Sequence, residues 1–105
     1  MSRDKRANSR RRTRLRSGKV ADPSGAFLTE CLIYDRSDEG ARLRVAKSGS
    51  VPDRVLLFDD ELNSLSAAAV AWRRPYELGI RFMPETNPGR VPEIVRKLSG
   101  KYYAL

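Results

Sequence analysis

Short runs of alternating apolar and polar residues, separated by tight turns, constrain the fold of this chain more than any other feature. In the segment ARLRV, Ala41, Leu43 and Val45 face one side of an extended chain, while Arg42 and Arg44 face the other. This period of two is typical of a half-buried β-strand. An all-α fold is excluded, because the period is two and the turns come too often.

The same reasoning predicts five further strands, at residues 14–20, 26–34, 54–58, 65–74 and 78–83. Segments rich in Asp, Ser, Gly and Pro lie between most of them and favour turns. Short strands at this spacing indicate an antiparallel barrel or sandwich, and barrel closure removes exposed strand edges. A short helix is predicted over residues 92–98, with Pro92 in its first turn. We therefore predict an all-β, six-stranded antiparallel barrel with a short C-terminal helix.

Charge divides the chain into a basic N-terminal arm and a neutral remainder. Residues 1–20 hold nine basic residues and one acidic residue, and the rest hold twelve of each, within a formal net charge of +8. Residues 1–13 are polar and Arg-rich, and they cannot bury enough surface to offset their ordering entropy. We therefore predict one domain, with a flexible arm at residues 1–13, the barrel at residues 14–83, and a linker with the short helix at residues 84–105.

The residue types that are absent exclude several classes of chemistry. The sequence has no His and one Cys, which excludes His-based metal sites, Ser–His–Asp triads, an intramolecular disulfide and multi-Cys zinc sites. No nucleophile–base pair stands out, so we predict no catalytic residue, metal site, cofactor or enzymatic activity. No run approaches the roughly 18 apolar residues that span a membrane, and no secretory signal is recognisable. The expectation is a cytoplasmic protein that is monomeric when free.

The arm contains a cluster of five arginines within seven residues, namely Arg10, Arg11, Arg12, Arg14 and Arg16. A guanidinium group binds phosphate oxygens through two parallel hydrogen bonds, stacks on nucleobases and binds the guanine edge at O6 and N7. The spacing of Arg10 and Arg14 places two such groups about one helical turn apart, or on one side of a tight bend. On its own, the cluster is better explained as a solvated basic tail.

A second motif lies between two predicted strands, where Asp35, Ser37 and Gly40 form the pattern Asp-x-Ser-x-x-Gly. A carboxylate accepts hydrogen bonds from the N–H groups of a guanine edge, and a hydroxyl donates to a phosphate or stabilises the turn. Glycine adopts a positive φ or lets a ligand approach the backbone. On its own, this motif is better explained as an ordinary Asx-type turn.

In combination, the two motifs resemble those of the PilZ domain family. Arg10 and Arg14 match the family's RxxxR motif, and its (D/N)xSxxG motif is matched by Asp35, Ser37 and Gly40. One strand–turn–strand separates the motifs, as in the family. The flanking segments GARLRV, VPDRVLLF and AVAWRRPYELGIRF are also similar, so the resemblance covers roughly residues 9–83.

The resemblance implies a PilZ-type barrel that binds cyclic di-GMP. In that family the RxxxR arginines bind phosphates and guanines, which implies these roles for Arg10 and Arg14, with Arg11 or Arg12 assisting. The second motif completes the pocket from the barrel surface, and the implied barrel-side contacts are Asp35, Ser37 and Gly40. The arm is expected to order over the barrel when the ligand binds. The signal would then pass in trans to an unidentified partner protein.

The register of the RxxxR motif has alternatives, because Arg6 with Arg10 and Arg12 with Arg16 have the same spacing. We favour Arg10 with Arg14, since an apolar residue then enters the first strand directly after the motif. The register decides which arginines are expected to bind the ligand.

Two other functions fit the sequence. A PilZ-like adaptor would bind only protein, through the barrel or the C-terminal helix. A nucleic-acid-binding module would use the arginine arm, with an affinity that depends steeply on salt and hardly on Asp35. The neutral barrel argues against this second function, because only the arm would contact phosphates.

Other conspicuous side chains receive structural interpretations. Trp72 continues the face of Ala68 and Val70 and is predicted to lie in the core, with ligand stacking as the alternative. Cys31 is predicted to be a small buried hydrophobe. Three adjacent carboxylates are predicted to form a solvated hairpin tip, and these are Asp59, Asp60 and Glu61.

Overall fold

A computed structural model describes residues 15–99, and in this part of the chain six β-strands and one α-helix are found. The elements are β1 (Arg16–Ala21), β2 (Phe27–Tyr34), β3 (Gly40–Arg44), β4 (Arg54–Asp59), β5 (Ser64–Arg74), β6 (Glu77–Met83) and α1 (Val91–Ser99). Single 3-10 turns precede β4 and α1, at Ser48–Ser50 and Pro88–Arg90. The predicted arm, residues 1–13, lies outside the described residues.

The six strands close into an antiparallel barrel in the order β1-β2-β3-β6-β5-β4. Closure occurs at β1, where Gly18 pairs with Cys31 of β2 on one side and with Asp59 of β4 on the other. Each of the six strands therefore has a neighbour on both sides, which removes the exposed edges of a small open sheet. The prediction of a six-stranded antiparallel barrel with a short C-terminal helix is confirmed.

Alternation along the strands fills the barrel interior. In β3, Ala41 and Leu43 are buried while Arg42 and Arg44 are exposed, as the period of two predicts. The interior cluster consists of Val20, Cys31, Ile33, Ala41, Leu43, Val45, Val51, Val55, Leu57, Ala68, Leu78 and Ile80. Burial of these aliphatic side chains is the main stabilising contribution to the barrel.

A second, smaller core lies between the outer face of the barrel and α1. The strand β4 is buried on both faces, since Leu56 and Phe58 point away from the interior and contact the helix. The helix supplies a matching apolar stripe, and the buried members of this cluster are Ala21, Leu56, Phe58, Ile94 and Leu98. Contact with α1 explains why β4 is a continuous apolar run rather than an alternating one.

Replacing Leu98 by Ala is expected to lower the free energy of unfolding by about 3 kcal/mol, because it leaves a cavity between α1 and β4. Leu98 has 0% exposure. Urea denaturation measures the change. The exposed neighbour Lys97 provides the control, and Lys97→Ala is expected to change stability by less than about 0.5 kcal/mol. Equal stability of the two variants would show that the helix does not pack on the barrel.

A bulge in β5 places Trp72 on the outside of the barrel. Val70 pairs with Ile80, whereas Trp72 pairs with Gly79, so Ala71 is an extra residue in β5. Because facing residues share one side of a sheet, the bulge turns Trp72 away from the interior that contains Ile80. The prediction that Trp72 lies in the core is therefore wrong, and the reason is one inserted residue.

Candidate functional site

The second sequence motif forms the loop between β2 and β3. Asp35 directly follows β2 and has a φ of 57°, a left-handed conformation that Asp tolerates better than most residues. The N–H of Ser37 donates to the carbonyl oxygen of Gly40 at 2.8 Å, and the N–H of Glu39 donates to Ser37 Oγ at 3.2 Å. The loop is thus stabilised by its own hydrogen bonds, and Ser37 acts here as a turn residue.

Gly40 is required by the neighbouring strand. A Cβ at this position would collide with the carbonyl oxygen of Ile80 in β6. The φ of Gly40 is not in the left-handed region, so the reason for glycine is a close approach between two backbones. Gly40 pairs with Arg81 at the same place, which brings the loop against β6.

The three predicted barrel-side residues line one shallow groove of about 290 Å³ on the outer surface. The complete lining consists of Asp35, Ser37, Glu39, Gly40, Ala41, Arg42, Ala71, Ile80 and Arg81. The carboxylate of Asp35 forms an ion pair with Arg42 Nε at 3.1 Å, and the Arg42 side chain is 47% exposed. The groove therefore offers an acceptor and an accessible cation side by side.

A row of side chains extends from this groove across the outer face of the barrel. Tyr34 pairs with Arg42, Arg42 with Gly79, and Gly79 with Trp72, so the row crosses four adjacent strands. Gly79 contributes no side chain, and the indole of Trp72 lies over its backbone where a Cβ would collide with the ring. The bulge and this glycine together place an aromatic ring on the outer face of the barrel, in the same row as Arg42.

Arginine guanidinium groups lie close to the aromatic rings of Tyr34 and Trp72 on this face. The Arg74 guanidinium lies 4.9 Å from the centre of the Trp72 ring. Those of Arg42 and Arg44 lie 5.8 and 5.5 Å from the ring of Tyr34. Rings interleaved with cations suit a ligand that combines flat bases with phosphates.

The sequence reasoning did not assign Arg42 or Arg81 to the site and preferred the core for Trp72. The alternation in residues 41–45 places Arg42 outside, which was the available signal for that residue. For Trp72 and Arg81 the register between β5 and β6 is needed, and no local pattern supplies it.

The predicted nucleotide-binding arginines lie outside the described residues, and these are Arg10, Arg11, Arg12 and Arg14. The described chain nevertheless fixes where the arm is attached. Arg16 begins β1 and pairs with Ile33, two residues before Asp35. The arm therefore joins the barrel at the end where the Asp35–Gly40 loop lies.

Arg16 is held by carboxylates rather than presented to solvent. Its Nη2 lies 2.9 Å from Asp59 and its Nε lies 3.3 Å from Glu61, with 20% of the side chain exposed. A guanidinium in this position is a poor candidate for binding a ligand. The alternative motif register that pairs Arg12 with Arg16 is thereby disfavoured.

Asp59 is buried, which contradicts the prediction of a solvated carboxylate tip at this residue. It has 0% exposure. Its Oδ2 accepts from Arg16 at 2.9 Å and Arg36 at 3.5 Å, and its Oδ1 accepts from the N–H groups of Glu61 at 3.0 Å and Leu62 at 3.1 Å. The carboxylate binds cations and amides of the protein itself.

Cys31 is buried in the interior, as predicted. Burial raises the pKa of its thiol to about 12, and nearby carboxylates, Asp60 first, act in the same direction. The thiolate is therefore absent at neutral pH, and Cys31 acts as a packing residue.

No protein-family model matches the chain, and no curated protein matches it either. Among residues 15–99, no helix has the length and apolar character needed to cross a membrane. The same residues contain no group of three or more His, Cys, Asp or Glu side chains arranged to hold a metal ion. Function is therefore inferred from the sequence motifs and from the outer groove.

Proposed function

We propose that this protein is a PilZ-type receptor for cyclic di-GMP, without enzymatic activity of its own. The observation that carries the proposal is that the Asp35–Gly40 loop lies at the end of the barrel where β1, and with it the N-terminal arm, begins. Asp35, Ser37 and Gly40 line a single outer groove, and the chain segment that bears Arg10 and Arg14 joins the barrel beside it.

The groove matches the chemistry of a guanine nucleotide. The carboxylate of Asp35 is an acceptor for the N–H groups of a guanine edge. Arg42, which is 47% exposed beside it, is a donor for phosphate oxygens. Charge-assisted hydrogen bonds contribute about 1.5–3 kcal/mol each, and a micromolar Kd needs about 8 kcal/mol in total. Four to six such contacts, shared between groove and arm, supply this after the arm has been ordered.

Trp72 adds a stacking surface for a base. Its ring lies on the backbone of Gly79, which is the cross-strand partner of Arg42. Stacking of a base on an aromatic side chain contributes about 1–3 kcal/mol. The ring and the cation thus lie along one row of the outer face, and the carboxylate of Asp35 forms an ion pair with that cation.

The arm is long enough to reach across this face. Arg14 is two residues and Arg10 six residues before Arg16, and an extended chain covers about 3.3–3.6 Å per residue. The segment from Arg10 to the start of β1 can therefore span up to about 20 Å. Closure of the arm over the bound nucleotide would create a new surface, through which the receptor acts on a partner protein.

Calorimetric titration at physiological salt tests the proposal. We expect the wild type to bind cyclic di-GMP with a micromolar or lower Kd, and Asp35→Ala to weaken binding about tenfold or more through loss of the acceptor. GMP and random single-stranded DNA serve as comparison ligands, and both are expected to bind more weakly.

Two outcomes would replace the proposal. Absence of heat with cyclic di-GMP, from protein shown to be folded, would favour an adaptor that binds only protein. Equal affinity for DNA, with steep salt dependence and no effect of Asp35→Ala, would favour a nucleic-acid-binding module.

A further inference from the structure

Asp59 connects two parts of the molecule that are distant in sequence. It lies at the end of β4 with 0% exposure. One of its cationic partners, Arg16, begins β1 at the root of the arm. The other, Arg36, lies between Asp35 and Ser37 in the loop that lines the groove. A single buried carboxylate is therefore bound both to the first residue of β1 and to the loop that lines the groove.

Arg36 depends on this carboxylate for its position. Its guanidinium lies 4.6 Å from the centre of the Phe82 ring and 3.5 Å from Asp59, with 20% of the side chain exposed. Burial lowers the pKa of Arg36, Asp59 opposes that shift, and Arg16 adds to it. The two guanidinium groups repel each other, and the carboxylate between them offsets the repulsion.

The backbone also fixes Asp59 in place. Its Oδ1 accepts from the N–H groups of Glu61 and Leu62 at 3.0 and 3.1 Å, which leaves Oδ2 for the two arginines. A carboxylate held by four donors has a defined orientation. Since Asp59 is inaccessible, any effect on a ligand must act through the groups that it binds, and of these Arg36 belongs to the loop that lines the groove.

We propose that Asp59 is a positioning residue for nucleotide binding, which holds the root of the arm and the Asp35–Gly40 loop in a fixed relation to each other. This inference rests on the proposed function. It predicts that loss of the Asp59 charge weakens cyclic di-GMP binding, although Asp59 does not contact the ligand.

The first test compares Asp59→Asn with Asp60→Asn, two isosteric substitutions of adjacent carboxylates. Asp60 binds Lys19 Nζ at 2.6 Å and accepts from Ser17 Oγ at 2.8 Å, and both partners belong to β1 rather than to the loop. We expect the calorimetric Kd for cyclic di-GMP to rise about tenfold or more in Asp59→Asn and less than about twofold in Asp60→Asn. A wild-type Kd in Asp59→Asn would overturn the proposal.

A second readout needs no nucleotide. Hydrogen exchange at the loop amides of Ser37 and Glu39 is expected to accelerate in Asp59→Asn, while the amide of Val70, which donates to Asp53 at 2.8 Å, keeps its protection. Unchanged loop exchange would contradict the inference even if the wild type failed to bind cyclic di-GMP. Failure of the proposed function and failure of this inference are thus distinguishable.

The double variant Asp59→Asn/Arg36→Gln separates positioning from general stability. Removing the uncompensated cation is expected to restore much of the stability lost in Asp59→Asn. The double variant also covers the case in which Asp59→Asn does not fold. Nucleotide affinity is expected to stay about tenfold or more below that of the wild type, because the loop still lacks its ion pair with residue 59. Recovery of both stability and affinity would refute a positioning role.

Discussion

Arg14→Ala is expected to raise the Kd for cyclic di-GMP about a hundredfold or more, which is the largest effect on binding that we predict. In the favoured register, Arg14 is the motif arginine nearest the barrel, two residues before the first strand. Loss of two charge-assisted hydrogen bonds costs about 3 kcal/mol or more, which corresponds to about two orders of magnitude in Kd. Calorimetry at physiological salt measures the change, and thermal unfolding confirms that the variant is folded.

Arg6→Ala is the matched control, because it removes the same charge from the same arm. We expect it to change the Kd by less than about threefold, since a cation outside the motif contributes only screened attraction. If the motif were Arg6 with Arg10, the order of the two effects would be reversed. Equal and small effects of both variants would instead indicate that the arm contributes only diffuse charge.

The strands and their faces followed from local patterns. In β3 every second residue is buried, and the neighbouring turn residues fixed the ends of the strand to within one position. The pairing of β1 with both β2 and β4, which closes the barrel, joins residues far apart in sequence. Alternation shows which face of a strand is buried, but it does not show with which strand that strand pairs. The barrel is favoured over the sandwich only because closure protects strand edges and because of the family resemblance.

Trp72 shows why a correct strand does not guarantee a correct face. Extrapolating from Ala68 and Val70 placed it inside, but one extra residue at the bulge reverses the face of everything beyond it. The bulge has no sequence signal of its own in this segment. What marks it is Gly79, which leaves room for the indole and belongs to a different strand.

Asp59 was misassigned for a related reason. Three adjacent carboxylates after an apolar strand look solvated, because nothing nearby in sequence neutralises them. The cation that binds the buried carboxylate of Asp59 most closely is Arg16, which lies 43 residues earlier in the sequence. Long-range ion pairs of this kind are visible only once the barrel is closed.

Gly40→Ala is expected to lower the free energy of unfolding by about 3 kcal/mol in the absence of any ligand. A Cβ at Gly40 would meet the carbonyl oxygen of Ile80, and backbone does not rotate out of the way as a side chain does. For a domain of this size the loss corresponds to a fall in Tm on the order of 15 °C. Thermal unfolding of the unliganded protein measures it.

Two glycines provide matched controls with the same substitution. Gly49 has no heavy atom within 4 Å of the added Cβ, so Gly49→Ala is expected to change stability by less than about 0.5 kcal/mol. At Gly79 the obstacle is the Trp72 ring, which can swing aside. Gly79→Ala is therefore expected to cost about 1–2 kcal/mol, less than Gly40→Ala.

This series decides why a glycine ends the Asp35–Gly40 loop. If Gly40 served only to let a ligand approach, Gly40→Ala would be as stable as Gly49→Ala and would lose only nucleotide affinity. We expect Gly40→Ala to lower the stability of the unliganded protein, because β3 and β6 must separate to admit a methyl group beside Ile80. Since the same pairing holds Arg81 beside the groove, weaker nucleotide binding is expected as a consequence of that separation.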